Sequence, residues 1–283
     1  MEKENKKATK HDSVGAISSR RLSKLQEKSD EGNSCDSFWS VSKSDIKFIL
    51  IFVTLFSLFR FFAYDYYIVP SSSMVPTLLI GDMPLTEKWR YGYCKHSIWF
   101  SPPIFSGRKF FKNNIKRGEV VVFKSPEDCE TNVVKRVIGL PGDKVRLENG
   151  VIIVNDVRAQ LTFKEKMLYK DTAAHVFYEL MIYDEILPLS DEVKHRVAYQ
   201  EEMHNSEANN FKEQTVPEGY YFVMGDNRDC SKDSRCGLGL VPVENFMGHA
   251  VATIYSIGNG VRWWEFWLWL QNIRYNRICK KII

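Results

Sequence analysis

The sequence predicts a mainly β protein: an antiparallel β-rich domain with an inserted subdomain, preceded by one N-terminal transmembrane helix. Three observations carry this. A polar tail gives way abruptly to "DIKFILIFVTLFSLFRFFAYDYYIV", where from Phe48 to Phe59 only Thr54 and Ser57 are not strongly apolar. Beyond it come short runs rich in Val, Ile, Tyr and Phe, closed by turn dipeptides. A more polar stretch, 163–212, interrupts those runs.

The elements follow in chain order. Residues 1–45 show almost no aliphatic periodicity and read as a disordered tail. Residues 46–64 read as the transmembrane helix, with Lys47 and Arg60 snorkelling toward head groups and Tyr64, Tyr66 and Tyr67 suited to the interface. A cleaved signal peptide fits poorly, because the run starts after a long polar tail. A buried core helix is the alternative, since the uninterrupted apolar run is short. The Lys and Arg residues of the tail put the N-terminus in the cytoplasm and everything after Tyr64 outside.

Residues 65–258 form the β-rich domain. "GEVVVFKSP" (118–126) and "NVVKRVIGLPGD" (132–143) are strands ending in turns, the second at Leu-Pro-Gly-Asp. "KVRLENGVIIVND" is a hairpin with Asn149-Gly150 as a type I′ turn. "GYYFVMGDN" and "HAVATIYSIG" are further strands, and the insertion at 163–212 reads as part helical. Residues 259–283, "VRWWEFWLWLQNIRYNRICKKII" from Val261, read as an amphipathic aromatic and basic helix, either lying on a membrane surface or docked on the β domain.

With 283 residues the chain can build a sizeable core, and 44% hydrophobic and 13% aromatic content excludes wholesale disorder. A net charge of +4, with both signs interspersed, gives no reason to expect a nucleic-acid partner. The six cysteines form no C-x-x-C pair, so no zinc knuckle is expected. Cys230 and Cys236 are close enough in sequence to bridge in an oxidising compartment, and equally to remain free thiols.

"IVPSSSMVPTLLIGD" (68–82) sets three serines between Pro70 and Pro76. A serine hydroxyl is a weak nucleophile and needs a base within hydrogen-bond reach. None of His11, His96, His175, His195, His204 and His249 sits in a triad motif, and there is no G-x-S-x-G elbow. A neutral lysine can replace histidine, since burial among apolar groups lowers an amine's pKa. On a "NVVKRVIG" strand, alternation puts Val133, Lys135 and Val137 on one face and Val134, Arg136 and Ile138 on the other. Lys135 is thus flanked by valines, although composition alone favours a solvent-facing lysine. The S-x-x-K matches Ser40/Lys43 and Ser44/Lys47 lack the S-D-N and K-T-G partners and read as chance.

"PSSSMVPTLLIGD", "RGEVVVFKSPED", "VVKRVIGLPGDKV" and "GDNRDCSKDSR", in that order after an apolar span, resemble bacterial type I signal peptidase from the span to about Ile257, the insertion excluded. The resemblance implies a signal-peptidase/LexA-like β fold and a serine–lysine endopeptidase in the cytoplasmic membrane, catalytic domain outside, cutting leaders from exported preproteins. It implies Ser73 as nucleophile, Lys135 as general base and the Ser71 hydroxyl in the oxyanion hole beside the Ser73 N–H. Ser231 would hydrogen-bond the lysine amine, Asp233 and Arg235 would form a supporting ion pair, and Arg136 would stand behind them. Shallow pockets near Ile68, Met74, Val134 and Ile138 would admit small side chains. No metal or cofactor is implied.

The expected partners are preproteins and the phospholipid bilayer, with the enzyme a monomer near the secretion translocon. An extended substrate would add a strand along "DYYIVPS" and "ETNVVK". The aromatic segment 89–107 would rest in the lipid interface beside the site, or else form a packed loop. A LexA-like autoprotease shares the chemistry, but 1–45 shows no DNA-binding domain. A membrane-anchored scaffold with a dead site is the reading from another class.

Overall fold

The structure, a computed structural model, describes residues 42–93, 115–171, 176–190, 194–200, 207–258 and 266–283. The expectations for the tail 1–41, for 94–107 of the aromatic segment and for Trp263 and Trp264 lie outside the described residues.

Helix α1 (Lys43–Phe62) opens the described chain, and Asp45 in its first turn accepts the Ser42 N–H, an acid where the helix dipole favours one. Its apolar side chains, among them Phe48, Leu55 and Phe59, are exposed. The expected transmembrane helix is therefore helical, but it begins at Lys43 and stops at Phe62 rather than spanning 46–64. No helix among the described residues is long and apolar enough to cross a membrane. The physical reason is charge: Lys43, Asp45, Lys47 and Arg60 leave only Phe48–Phe59 uncharged, roughly 18 Å of helix against a hydrocarbon core of about 30 Å.

All strands lie in the compact unit Leu58–Ile283. They are β1 (Tyr64–Tyr66), β2 (Asp82–Glu87), β3 (Val120–Lys124), β4 (Asn132–Gly139), β5 (Lys144–Glu148), β6 (Val151–Val154), β7 (Val157–Arg158), β8 (Gln160–Asp171), β9 (Val176–Ile186), β10 (Lys194–Gln200), β11 (Gln214–Thr215), β12 (Tyr220–Met224), β13 (Val241–Pro242), β14 (Phe246–Ser256) and β15 (Lys280–Lys281). The main sheet runs β1-β2-β14-β3-β4-β12-β13, with β15 also on β14; a second sheet is β11-β5-β6-β7 and a third β10-β9-β8. Every named strand pairing is antiparallel, as expected. The β5–β6 hairpin closes on Asn149 (φ 49°) and Gly150 (φ 78°), the two left-handed residues a type I′ turn requires.

The insertion differs from its expectation. Its described residues form the β8–β9–β10 sheet, and the one helical piece is the 3-10 turn Glu207–Asn209. The reason is burial on both faces: Leu180 and Ile182 on β9 share one face with Ala198 of β10, while His195, Val197 and Tyr199 of β10 are buried on the other. Leu180, Ile182, Ala198 and Tyr169 pack on Val75, two residues after the expected nucleophile. The C-terminal region also differs: α2 (Phe266–Asn272) is only seven residues, and the tail after it adds β15 to the main sheet. Trp267 and Leu270 are exposed, whereas Trp269 packs on Tyr255 of β14 with ring centres 6.4 Å apart and Ile282 is buried beside Val69, Met74 and Leu78, so the described segment docks on the β domain through one tryptophan and through its end.

The packing of the inserted sheet on Val75 makes it part of the fold. Leu180→Ala, which would leave a void there, should cost about 2–5 kcal/mol, read from thermal or urea unfolding of the detergent-solubilised chain. An unchanged midpoint would show the sheet to be dispensable.

Candidate active site

Ser73 is presented by the irregular stretch between β1 and β2. Val69 there donates its N–H to the Asp82 carbonyl at 2.9 Å and accepts the Gly81 N–H at 3.0 Å. Gly81 adopts φ +86°, and a Cβ on it would come within 2.3 Å of the Ile257 carbonyl oxygen, so this close approach requires glycine. Lys135 comes from the middle of β4, one residue before the point at which that strand begins pairing with β12.

The two meet. Lys135 Nζ and Ser73 Oγ are hydrogen-bonded at 2.6 Å. Lys135 is 3% exposed and Ser73 9%, so the lysine does not face solvent. Burial pulls the Lys135 pKa down to about 8, against the opposing pull of Asp233 and Asp226. The consequence is large: roughly one amine in ten is neutral at pH 7, against roughly one in 3000 at the ordinary value. The Ser71 and Ser73 hydroxyl oxygens are 3.4 Å apart, and Ser71 is exposed to the cleft.

Both carboxylates near the amine are engaged by arginines. Asp233 and Arg235 form a buried ion pair at 2.8 Å, as expected, and Asp233 also accepts the Gly225 N–H at 3.0 Å. Arg136 is fully buried and grips Asp226 through Nε (2.8 Å) and a terminal nitrogen (2.6 Å), while donating to the Gly118 carbonyl at 2.7 Å. These pairs hold both acids ionised, below the usual carboxylate range, despite a burial that acts in the opposite sense.

Ser231 departs from its expected role. Its hydroxyl is buried and, among the described residues, hydrogen-bonds no partner, the lysine amine included. It lies instead against Gly225: a Cβ there would fall 2.2 Å from Ser231 Oγ and 2.5 Å from the Ser73 carbonyl oxygen. Gly225 is thus the spacer between the Ser231 loop and Ser73. Sequence reasoning passed over it, along with Asp226 and Asn227, though all three stand in the quoted "GDNRDCSKDSR". Asn227 fastens the serine stretch, its N–H to the Ser73 carbonyl at 3.0 Å and its side-chain amide to the Ser72 carbonyl at 3.1 Å.

A cleft of about 640 Å³ opens over the pair. Of the expected pocket residues, Ile68, Met74 and Val134 line it, with Ser71, Ser73 and Lys135. Ile138 does not: it is fully buried in a separate core with Phe222 and Met224, because it lies beyond the stretch of β4 that borders the cleft. Asn132–Lys135 pair with β3 on one side only, since the β12 ladder begins at Arg136, which leaves a strand edge along the cleft. The opposite wall is Tyr67–Ser71. Cys230 lines the same cleft, its thiol accepting from the Gln200 amide at 3.1 Å, and Cys236 is a free thiol.

The site leaves no room for a methyl group at the spacer. Gly225→Ala should lower cleavage by about a hundredfold with the chain still folded, read as turnover alongside far-UV circular dichroism. Wild-type turnover would show that Ser231 and the Ser73 carbonyl can move apart freely.

The chain matches the family described as signal peptidase, peptidase S26, over residues 42–255. It is 34% identical over 234 residues to the signal peptidase I of Rickettsia typhi, covering 76% of this chain and 84% of that protein. Over 253 residues it is 34% identical to the signal peptidase I of Rickettsia bellii, covering 83% of each. A crystal structure of a signal peptidase I from Enterococcus faecalis aligns at 28% identity over 48% of this chain and 97% of that one, with a TM-score of 0.28, a likeness too slight to bear on the fold. With a buried amine against a serine hydroxyl and a family match over most of its length, the chain belongs to the signal peptidase family of S26 peptidases and is a serine endopeptidase.

Proposed function

We propose that this protein cleaves the N-terminal signal peptides of exported preproteins with Ser73 as nucleophile and Lys135 as general base, while anchored to the bacterial cytoplasmic membrane by α1. The observation that carries this reading is the 2.6 Å contact between a buried amine and a serine hydroxyl at the floor of an open cleft.

The substrate lies extended, adding its backbone to the open edge of β4 on one side and to 67–71 on the other. Ile68, Met74 and Val134 are the apolar surfaces its side chains meet. Neutral Lys135 takes the Ser73 proton as Oγ attacks the scissile carbonyl. The resulting oxyanion is met by the Ser71 hydroxyl and the Ser73 N–H. As the intermediate collapses, the Lys135 ammonium passes its proton to the leaving amine, and the acyl group stays as an ester on Ser73. Lys135 then draws a proton from water, the hydroxide attacks the ester, and the proton returns to Ser73 Oγ.

The membrane supplies the remaining economy. A signal peptide's cleavage point sits at the bilayer surface, so an enzyme tethered there meets it at a raised effective concentration. The exposed apolar side chains of α1 suit lipid better than water. Lys47, snorkelling outward, extends the reach of its short apolar centre. The same reading puts the N-terminus in the cytoplasm and the β domain on the outer side.

In cleavage of a labelled preprotein, Ser73→Ala and Lys135→Ala should each lose roughly 10⁴-fold or more in turnover, and Ser71→Ala about a hundredfold. The base acts when neutral and its pKa is lowered to about 8, so kcat/KM should rise with pH through about 8 and level off above it. A profile flat from pH 6 to 9, or cleavage surviving Ser73→Ala, would overturn the assignment.

A further inference from the structure

The Ser73 stretch returns to β2 through residues 74–82, and this return is held by the C-terminal segment, which lies beyond the family match at 255. Asp82, fully buried, sits between two arginines of that segment. Arg277 Nε lies 3.1 and 3.0 Å from its two oxygens, and a terminal nitrogen of Arg277 lies 2.5 Å from Oδ2. Arg274 reaches Oδ1 at 3.2 Å and also donates to the carbonyls of Ile80 (2.7 Å) and Ile257 (2.8 Å). Ser256 Oγ donates to Oδ1 at 2.6 Å, and Asp82 Oδ2 accepts the Leu79 N–H at 2.9 Å. Arg277 also donates to the Thr77 carbonyl at 2.8 Å.

Thr77 carries that grip onward. Its hydroxyl donates to Asp226 at 2.5 Å, and Asp226 holds Arg136, the residue after Lys135. The tail is itself fastened: the Arg274, Cys279 and Ile282 N–H groups donate to the carbonyls of Ser256, Thr253 and Val251, and the Ile283 carbonyl accepts from Arg136 at 3.0 Å. Thus Arg277 fixes one residue whose backbone belongs to the nucleophile's return and whose side chain belongs to the base's support.

We propose that Arg277 is a positioning residue for the Ser73–Lys135 pair, acting through Asp82 and Thr77 without touching substrate. The inference rests on the reading of Ser73 and Lys135 as nucleophile and base. A guanidinium is required because the task is bidentate: one fork takes a carboxylate and a backbone carbonyl together, which a lysine ammonium at that distance does not. Loss of the fork lets the 74–82 return shift, and displacements of about 1 Å cost about a hundredfold in rate when reacting atoms must meet in line. The β4 edge lies outside the 74–82 return, while Val69 and Met74 border it, so the loss falls mainly on kcat and only weakly on KM.

The test uses the full chain in detergent with a labelled preprotein, measuring kcat and KM for wild type, Arg277→Gln, Arg277→Lys, Asp82→Asn, the Arg277→Gln/Asp82→Asn pair and Ser73→Ala, each scaled to its folded fraction from thermal unfolding. Arg277→Gln should lose about tenfold to a hundredfold in kcat with KM within about twofold, Arg277→Lys should recover part of that loss, and the double variant should be no worse than the poorer single one. If Arg277→Gln does not fold, the kcat of Arg277→Lys decides: a loss of several-fold at unchanged KM supports the proposal, and wild-type kcat overturns it. A folded Arg277→Gln with wild-type kcat, or a kcat loss that vanishes after scaling, overturns it as well. Ser73→Ala separates the two readings: its residual cleavage sinks the Ser73 assignment and this inference together, whereas an inert Ser73→Ala beside an undisturbed Arg277→Gln sinks the inference alone.

Discussion

The arrangement depends on making one ammonium easier to deprotonate. Lys135 is placed where its charged state is poorly solvated, at the floor of a cleft between Val133 and Val137 of β4. Burial alone would suffice were it not for Asp226 and Asp233, each of which favours the proton. Both acids are given a guanidinium, so most of their field closes on Arg136 and Arg235. The shift to about 8 corresponds to about 3 kcal/mol of differential interaction, so the protein keeps an unfavourable group buried for its chemistry.

That constraint explains why the loops around the site are held from several directions. Asn227 fastens the nucleophile through two backbone carbonyls. The inserted sheet reaches the same loop from the far side. The Ala198 N–H donates to the Asp226 carbonyl, its own carbonyl accepts the Arg228 N–H, and Arg228 pairs with Glu185 inside the sheet, a fully buried carboxylate held ionised. His195 lies 3.0 Å from that carboxylate, with burial lowering its pKa, so it stays neutral beside the Arg228–Glu185 pair. The insertion is thus a buttress for the loop that carries Gly225, Asp226 and Asp233. A loop left to solvent would sample many conformations and let water reach the amine, restoring its ordinary pKa.

The cleft follows from a mismatch of ladder lengths. β3 pairs with β4 from Asn132 to Arg136, whereas β12 joins only from Arg136 onward. The half of β4 left open on the β12 side is the half that ends at Lys135, so a strand added along that edge would run to Lys135.

Much of this was legible in the residues. Period-two runs and turn dipeptides marked β3, β4, the β5–β6 hairpin, β12 and β14. The place of Lys135 between two valines allowed an apolar setting, although composition alone favoured a solvent-facing lysine, and the resemblance carried by four ordered motifs paired Ser73 with Lys135, 62 residues apart. In the described residues of the insertion the part-helical reading failed because strands buried on both faces carry no clean alternation among their charged residues. Ser231 failed because the sequence does not say how near Gly225 approaches, and Ile138 because strand periodicity gives a face but not where the sheet stops being open. Arg274 and Arg277 were invisible in a tail whose tryptophans drew the eye. The sequence by itself determined the strands, the turn at Asn149-Gly150 and the chemical types at the site, since these follow from local propensity and residue chemistry. The tertiary structure alone decided the charge on Lys135, the hold on the nucleophile and the open edge of β4, because burial, field and strand pairing are set by groups distant in the chain.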